Sequence, residues 1–400
     1  MLFLNVIGHT QPLDSLLSWA EKENPSLKAL EQGYLADKEI APQVNTLPNP
    51  EVGIGLFALP PETRLGPQRI SIGASQMFPW KGTLKTKADI SDTKAKMKPI
   101  QADLVSLDLA GKIRWAYYAL YQLRERQHIL REDIELFKAL ESLSMVKVQS
   151  GKASMSDVLR VQLKIRELER RIELLKTAEQ APTSMLNTAI GRVPDVDIRI
   201  VDKPDTMLTI SYEELIDQLR VDHPSIELLD VQEEVANENI KLNKLKGKPT
   251  FGVGLDYIAV GRRSDADPAY NGRDILIPKL KVKIPIFRKQ YEARDQEQKL
   301  RINALEEKKN AVVLRLSDRA RQAFQTYESA HIQFVLYHEQ AQTTRSIIKI
   351  LQTDYSSAGK SFDELLKYHV NLVEYDLKIL DAYVLKAQAV AKIKSLYLGL

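Results

Sequence analysis

The sequence predicts a mainly α chain with a small β part, built as a duplicated unit of helix, β-hairpin, long helix and returning helix. Three observations carry that prediction. The first is the segment 287–355, uninterrupted by Pro or Gly, which reads as one very long helix. From Leu316 its small and apolar residues alternate in steps of four and three: Ala320, Ala323, Tyr327, Ala330, Phe334, Tyr337, Ala341, Thr344, Ile348, Leu351 and Tyr355. Such steps keep one seam on one helix face, and over this length they mark a coiled coil. At ~1.5 Å per residue the rod would reach roughly 100 Å, too long for a compact domain. The second observation is four short segments of strict period two. The third is an internal repeat.

In chain order, the start from Met1 to Gly8 is apolar but too short to span a membrane, and it lacks a basic region. Residues 1–11 read as the remnant of a signal peptide. Leu16, Leu17, Ala20, Leu27, Leu30 and Leu35 give a helix over 13–44, with Asn24-Pro25-Ser26 marking a break and restart. Segments 51–59 and 68–77 alternate, with Val52, Ile54 and Leu56 opposite Gly53 and Gly55, and Ile70, Ile72 and Ala74 opposite Ser71, Gly73 and Ser75. A Pro- and Gly-rich turn separates them, so the two form a hairpin. A helix of some seventy residues follows, with the seam Leu109, Ile113, Ala116, Leu120, Leu123, Leu130, Ile134 and Phe137. Pro99 should kink it, because proline removes a backbone donor and clashes with the preceding turn. Gly151-Lys152-Ala153-Ser154 turns the chain into an antiparallel helix ending near Gly191. A linker over 192–211 carries a short strand-like piece at 196–201.

The plan then repeats, dividing the chain into a first repeat over 12–191 and a second over 212–400. His223-Pro224-Ser225 answers Asn24-Pro25-Ser26 at an offset of 199 residues, and Pro249 answers Pro50 at the same offset. Ile284-Pro285-Ile286 answers Phe78-Pro79-Trp80 at 206, so the second hairpin, over 251–260 and 275–284, has the longer polar loop. Ser361 answers Ser154 at 207, and Gly399 answers Gly191 at 208. Length changes confined to turns are what a duplicated structural unit should show. The last helix keeps its own seam: Leu366, Val370, Val373, Leu377, Leu380, Val384, Ala387 and Ala391.

Strands of nine or ten residues can cross a bilayer when tilted. Phe251, Val253, Leu255 and Tyr257 face away from Gly252, Gly254 and Asp256. Leu280, Val282 and Ile284 face away from Lys279, Lys281 and Lys283. One face is apolar and the other small or charged, a pattern that a soluble sandwich shares. Four strands cannot close a barrel with a usable lumen, however, so other chains would have to complete the wall.

Here the sequence resembles the TolC-like outer-membrane efflux proteins over essentially its whole length. The resemblance rests on the duplication and on the Pro-x-hydrophobic-Gly-x-Gly strand openings at Pro50 and Pro249. It rests also on the junctions Gln76-Met-Phe-Pro-Trp-Lys-Gly82 and Lys283-Ile-Pro-Ile-Phe287, the Gly-Lys tips, and the ends near Gly191 and Gly399. The first junction is similar to that of the heavy-metal and resistance–nodulation–division branch. The resemblance implies a homotrimer whose chains share one transmembrane β-barrel, continued by an α-barrel tunnel through the periplasm. It implies a passive exit duct for drugs, metal ions or polypeptides in tripartite efflux or type I secretion. Its partners would be a periplasmic adaptor, an inner-membrane pump and outer-membrane lipid. A soluble coiled-coil scaffold is the competing reading.

Composition fits either reading: 44% hydrophobic and 28% charged residues, with a net charge of +4 whose signs are interspersed. That balance argues against a nucleic-acid partner. With no cysteine there is neither a disulfide nor a Cys-based metal site. No nucleophile–base set and no phosphate loop appears, so neither an enzyme nor a cofactor is expected. His331 and His338 lie seven apart without a third ligand and read as solvated. Asp256, Lys279, Lys281 and Lys283 are candidates for the barrel lumen, or simply a wetted face. The tips Gly151, Lys152, Ala153 and Ser154, and Gly359, Lys360 and Ser361, are candidates for adaptor contact. Ser154 with Asp157 and Ser361 with Glu364 also have capping-box spacing. Asp157, Asp363 and Glu364 match the region where relatives carry a gate of carboxylates. Lys367 stands where a further acid is common, and acids at a helix start are favoured by the helix dipole in any case.

Overall fold

The computed structural model describes residues 12–358 and 362–397. The order is α1 (Leu13–Glu23), α2 (Pro25–Lys38), α3 (Ile40–Val44), β1 (Glu51–Leu56), β2 (Glu62–Thr63), β3 (Gly66–Phe78), α4 (Thr83–Ala95), α5 (Met97–Gln149), α6 (Met155–Ala178) and α7 (Gln180–Ala189). The second pass runs α8 (Tyr212–Asp222), α9 (Pro224–Lys246), β4 (Thr250–Val260), β5 (Ile275–Lys283), α10 (Lys289–Ala358) and α11 (Phe362–Lys394). The chain is thus mostly helical with one small antiparallel sheet. The signal-remnant reading of 1–11, the tip Gly359, Lys360 and Ser361, and Gly399 lie outside the described residues.

The matching Pro-Ser signals do matching work. Asn24 Oδ1 accepts from the Ser26 amide at 2.9 Å, and His223 Nδ1 accepts from the Ser225 amide at 3.0 Å. In each, a buried side-chain acceptor meets a free amide of a helix whose first residue is proline. His223 is therefore a buried cap, unlike the solvated His331 and His338.

Two compact units divide the chain, each drawing on both halves of the repeat. One comprises the chain up to Leu30, Gln101–Ile226 and the chain from Ala311. Its core holds Leu16 and Ala20 of α1, Ile113, Ala116 and Leu120 of α5, Leu186 of α7, and Val384 and Ala387 of α11. Further along, α5, α6, α10 and α11 pack Leu130, Ile134, Leu168, Ala341, Ile348, Tyr355, Leu365 and Leu377 together. The α10 seam is buried as the four-three spacing requires, with Ala320, Ala323, Ala330 and Ala341 fully enclosed. The other unit, Glu31–Ile100 and Glu227–Asn310, contains the whole sheet. In the same unit Ile90 of α4 packs with Val235 and Leu242 of α9. Lys309 of α10 bridges Asp230 and Glu233 of α9 at 2.5 and 2.6 Å.

Several expectations need correction. Pro99 does not kink a continuous helix: the helix breaks at Lys96, and Pro99 becomes the third residue of α5, where no intrahelical amide partner is needed. The returning helix breaks as well, at Glu179, with Pro182 again third in the new helix. The Glu179 carboxylate is held from α5 by Arg124 at 3.0 Å and Gln127 at 2.5 Å. The piece at 196–201 is no strand, because no strand pairs with it among the described residues. The Tyr117 hydroxyl accepts from the Val201 and Asp202 amides at 3.1 and 3.0 Å, and Arg124 donates to the Ile198 carbonyl at 2.6 Å. Strand ends shift too: β1 stops at Leu56, whereas β3 extends from Gly66 to Phe78. In α11 the tip-side contacts are Leu365 and Leu372, with Leu366 and Val370 only partly buried, since this helix packs against several neighbours at once.

Candidate transmembrane face and channel lining

The sheet order is β1-β3-β4-β5, with short β2 paired to β3, so β3 and β4 join the two hairpins and β1 and β5 are its edges. Antiparallel partners point their side chains to the same face. Following the pairs Ile54↔Ile72, Ile72↔Tyr257 and Val253↔Leu280 collects the apolar residues of all four long strands on one side. That side is open: Ile54 is 72% exposed, Leu56 76% and Leu280 86%. Val52, Phe251, Val253, Leu255, Tyr257, Leu276 and Val282 are exposed with them. A soluble sandwich covers its apolar face, and contiguous apolar patches of this kind mark membrane or protein contact.

The opposite face carries Gly53, Gly55, Ser71, Gly73 and Ser75 together with the lumen candidates. Lys279 and Asp256 form an ion pair, and Lys281 Nζ donates to Ser75 Oγ at 2.9 Å. Lys283 is exposed on the same face, opposite Thr250. Gly73 stands beside Asp256, where a Cβ would come 2.5 Å from its Oδ1, so the glycine makes room for the carboxylate. All four lumen candidates thus share the polar face. Sequence reading missed Ile258, Ile275 and Ile277, which the register also turns to this face near the 261–274 loop. The alternation Ile275, Ile277, Lys279 was the available signal. The loop itself is tied down by Asp274, whose Oδ1 accepts from the Val260 amide at 2.9 Å.

At the first tip, Gly151 has φ +72°, the left-handed conformation that closes helix ends. The Lys152 amide donates to the Lys147 carbonyl at 2.8 Å and the Gly151 amide to Val148 at 3.0 Å. Ser154 then caps α6, with Asp157 returning the bond to the Ser154 amide at 3.4 Å. Gly151, Lys152 and Ser154 are exposed, Ala153 half-buried. The gate candidates are dispersed: Asp157 is used in the cap, Asp363 is ion-paired with Arg160 of α6, and Glu364 is exposed. Among the described residues no group of acids and histidines could hold a metal ion, and no helix is long and apolar enough to cross a membrane.

No family model and no curated protein matches the chain. Solved structures do. The outer-membrane channel OprN aligns with a TM-score of 0.73 at 15% identity, over 96% of this chain and 89% of that one. CusC, described for transmembrane channel formation, gives 0.74 at 14% over 96% and 91%. The outer membrane protein VceC of Vibrio cholerae gives 0.71 at 13% over 96% and 95%. The chain has the fold of these outer-membrane proteins.

Proposed function

We propose that this chain is one protomer of an outer-membrane efflux channel of the TolC-like kind. The observation that carries the reading is the sheet: an open apolar face on four strands, a glycine- and lysine-rich opposite face, and two edges. An edge left unpaired in lipid costs several kcal/mol per backbone group, so the four strands need copies of themselves to close. Three copies give twelve strands, with the apolar faces outward in lipid and Asp256, Lys279, Lys281 and Lys283 lining a watery lumen. Exposed apolar residues on the long helices, among them Leu159, Leu163, Ile332 and Leu336, supply further surface for the same symmetric association. The repeat boundaries at 191 and 212 are then those of two hairpin-plus-rod modules.

The duct is passive. Its polar wall hydrates a solute path, an inner-membrane pump supplies energy, and a periplasmic adaptor joins the two. The tips, Gly151 to Ser154 and Gly359 to Ser361, are the docking sites, with Lys152 and Lys360 offering charge to the adaptor. Asp157, Asp363 and Glu364 lie beside the tips and contribute to closure there. Within the family, the junction from Gln76 to Gly82 points to the heavy-metal and resistance–nodulation–division branch.

Fractionation and gel mobility test the reading. The protein should stay with outer membranes until extracted by detergent, and unheated samples should migrate as trimers that boiling dissociates. A monodisperse, water-soluble monomer would sink the channel and leave a coiled-coil scaffold.

A further inference from the structure

A cavity of about 560 Å³ lies in the helical unit between α5, α10 and α11. Four carboxylates line it, Glu125, Glu132, Asp133 and Asp376, against two cations, Lys203 and Arg345. Arg345 is already committed, since its Nη2 donates to Asp376 Oδ1 at 2.5 Å. Asp133 is only 6% exposed, and its Oδ2 has no hydrogen-bond partner among the described residues. A buried carboxylate without a partner is costly, and native structures seldom leave one so. Burial, reinforced by Asp376 and Glu132, pushes Asp133 up to about 7, with Arg345 opposing. Near neutral pH the group is thus poised between a buried acid and a buried, unanswered charge.

The remaining wall is apolar, with Ile129, Leu136, Phe334 and Leu372 facing the same space. At its rim the Tyr383 hydroxyl donates to the Pro204 carbonyl at 2.6 Å, fixing the linker beside α11. Burial pushes the Tyr121 phenol up to about 12, so it stays neutral and can donate a hydrogen bond. A strongly hydrated inorganic cation finds no ligand set here. An apolar body bearing one positive charge meets both halves of the wall.

We propose that this cavity binds an organic ammonium ion with an aromatic or branched apolar body, its nitrogen at the Asp133 carboxylate and its body against Phe334 and Leu372. The site belongs to the helical unit alone and stands whether or not the sheet forms a barrel.

The test is isothermal titration calorimetry on the full chain in non-ionic detergent, with 1-naphthylmethylammonium as probe and neutral 1-naphthylmethanol as control. The ammonium should bind at least tenfold more tightly than the alcohol at pH 8. Its affinity should fall about tenfold by pH 6, because a group that titrates near 7 is mostly ionised at the first pH and mostly protonated at the second. Asp133→Asn should erase the preference for the ammonium. Leu372→Trp, which fills the cavity but keeps the carboxylate, should abolish binding independently. Equal affinity for amine and alcohol would overturn the proposal, as would amine binding that survives both substitutions, or no binding at all.

Discussion

Leu280→Arg puts a charge on the face proposed to meet lipid, and its cost can be located along the strand. β5 runs Ile275–Lys283, so Leu280 lies one residue from its centre, and its partner Val253 is two residues from the centre of β4. If the strands are centred in the bilayer as proposed, then at ~3.3 Å per residue, shortened by tilt, both would lie within roughly 5 Å of its midplane. Arginine at the midplane costs about 2–4 kcal/mol per protomer, a factor of roughly 30 to 1,000 in a folding equilibrium. Lys281→Gln, the adjacent residue on the opposite face, loses only an exposed bond to Ser75, worth about 0.5–1 kcal/mol. The assay is denaturant unfolding of protein reconstituted in lipid vesicles, read by the heat-sensitive shift in gel mobility. Leu280→Arg should lower the midpoint severely and Lys281→Gln little. Equal losses at both positions would refute the assignment of faces.

Three further outcomes are expected. Lys152→Glu combined with Lys360→Glu should leave trimer and barrel intact but abolish export in cells, since Lys152 is exposed at its turn and a charge change there costs little stability; normal export would reduce the tips to caps. Ser154→Ala should cost about 1 kcal/mol by removing the α6 cap, measurable as a lower thermal midpoint. His223 is held down to about 4 by burial and by Arg315 and Arg319, below its ordinary 6.5. Between those values the unfolded chain takes up a proton that the folded chain refuses. The His223 contribution is therefore complete above about pH 6.5 and is lost as pH falls toward 4. His223→Asn, copying Asn24 of the first repeat, should keep the cap and flatten the thermal midpoint between pH 4.5 and 7; an unchanged slope would remove His223 as its cause.

What the sequence made legible was whatever repeats with a fixed period. The α10 seam from Leu316 to Tyr355 and the alternation of Val253 with Gly254 or Leu280 with Lys281 need only local spacing, and the structure places them accordingly. The duplicated Pro-Ser signals were readable for the same reason, although the capping role of His223 was not, since histidine is an uncommon cap. The breaks at Lys96 and Glu179 escaped because the prolines that mark them sit three residues downstream, tolerated inside a new first turn. The Glu179 clamp joins residues 52 and 55 apart, and the Asp133 cavity unites α5 with α10 and α11 across some two hundred residues; such meetings are set by tertiary packing. No window of sequence contains them.

The chain's lack of cysteine permits a direct test of the proposed barrel. If three copies close the wall, β1 of one protomer must lie beside β5 of the next. Ile54→Cys should be combined in turn with Leu276→Cys, Pro278→Cys or Leu280→Cys, all on the apolar face by the strand register. Under mild oxidation of whole outer membranes, one of these pairings should yield a band of three covalently linked chains on a denaturing gel, while either cysteine alone yields none. If every pairing leaves only single chains, and the protein purifies as a monomer without detergent, the sheet closes no shared barrel.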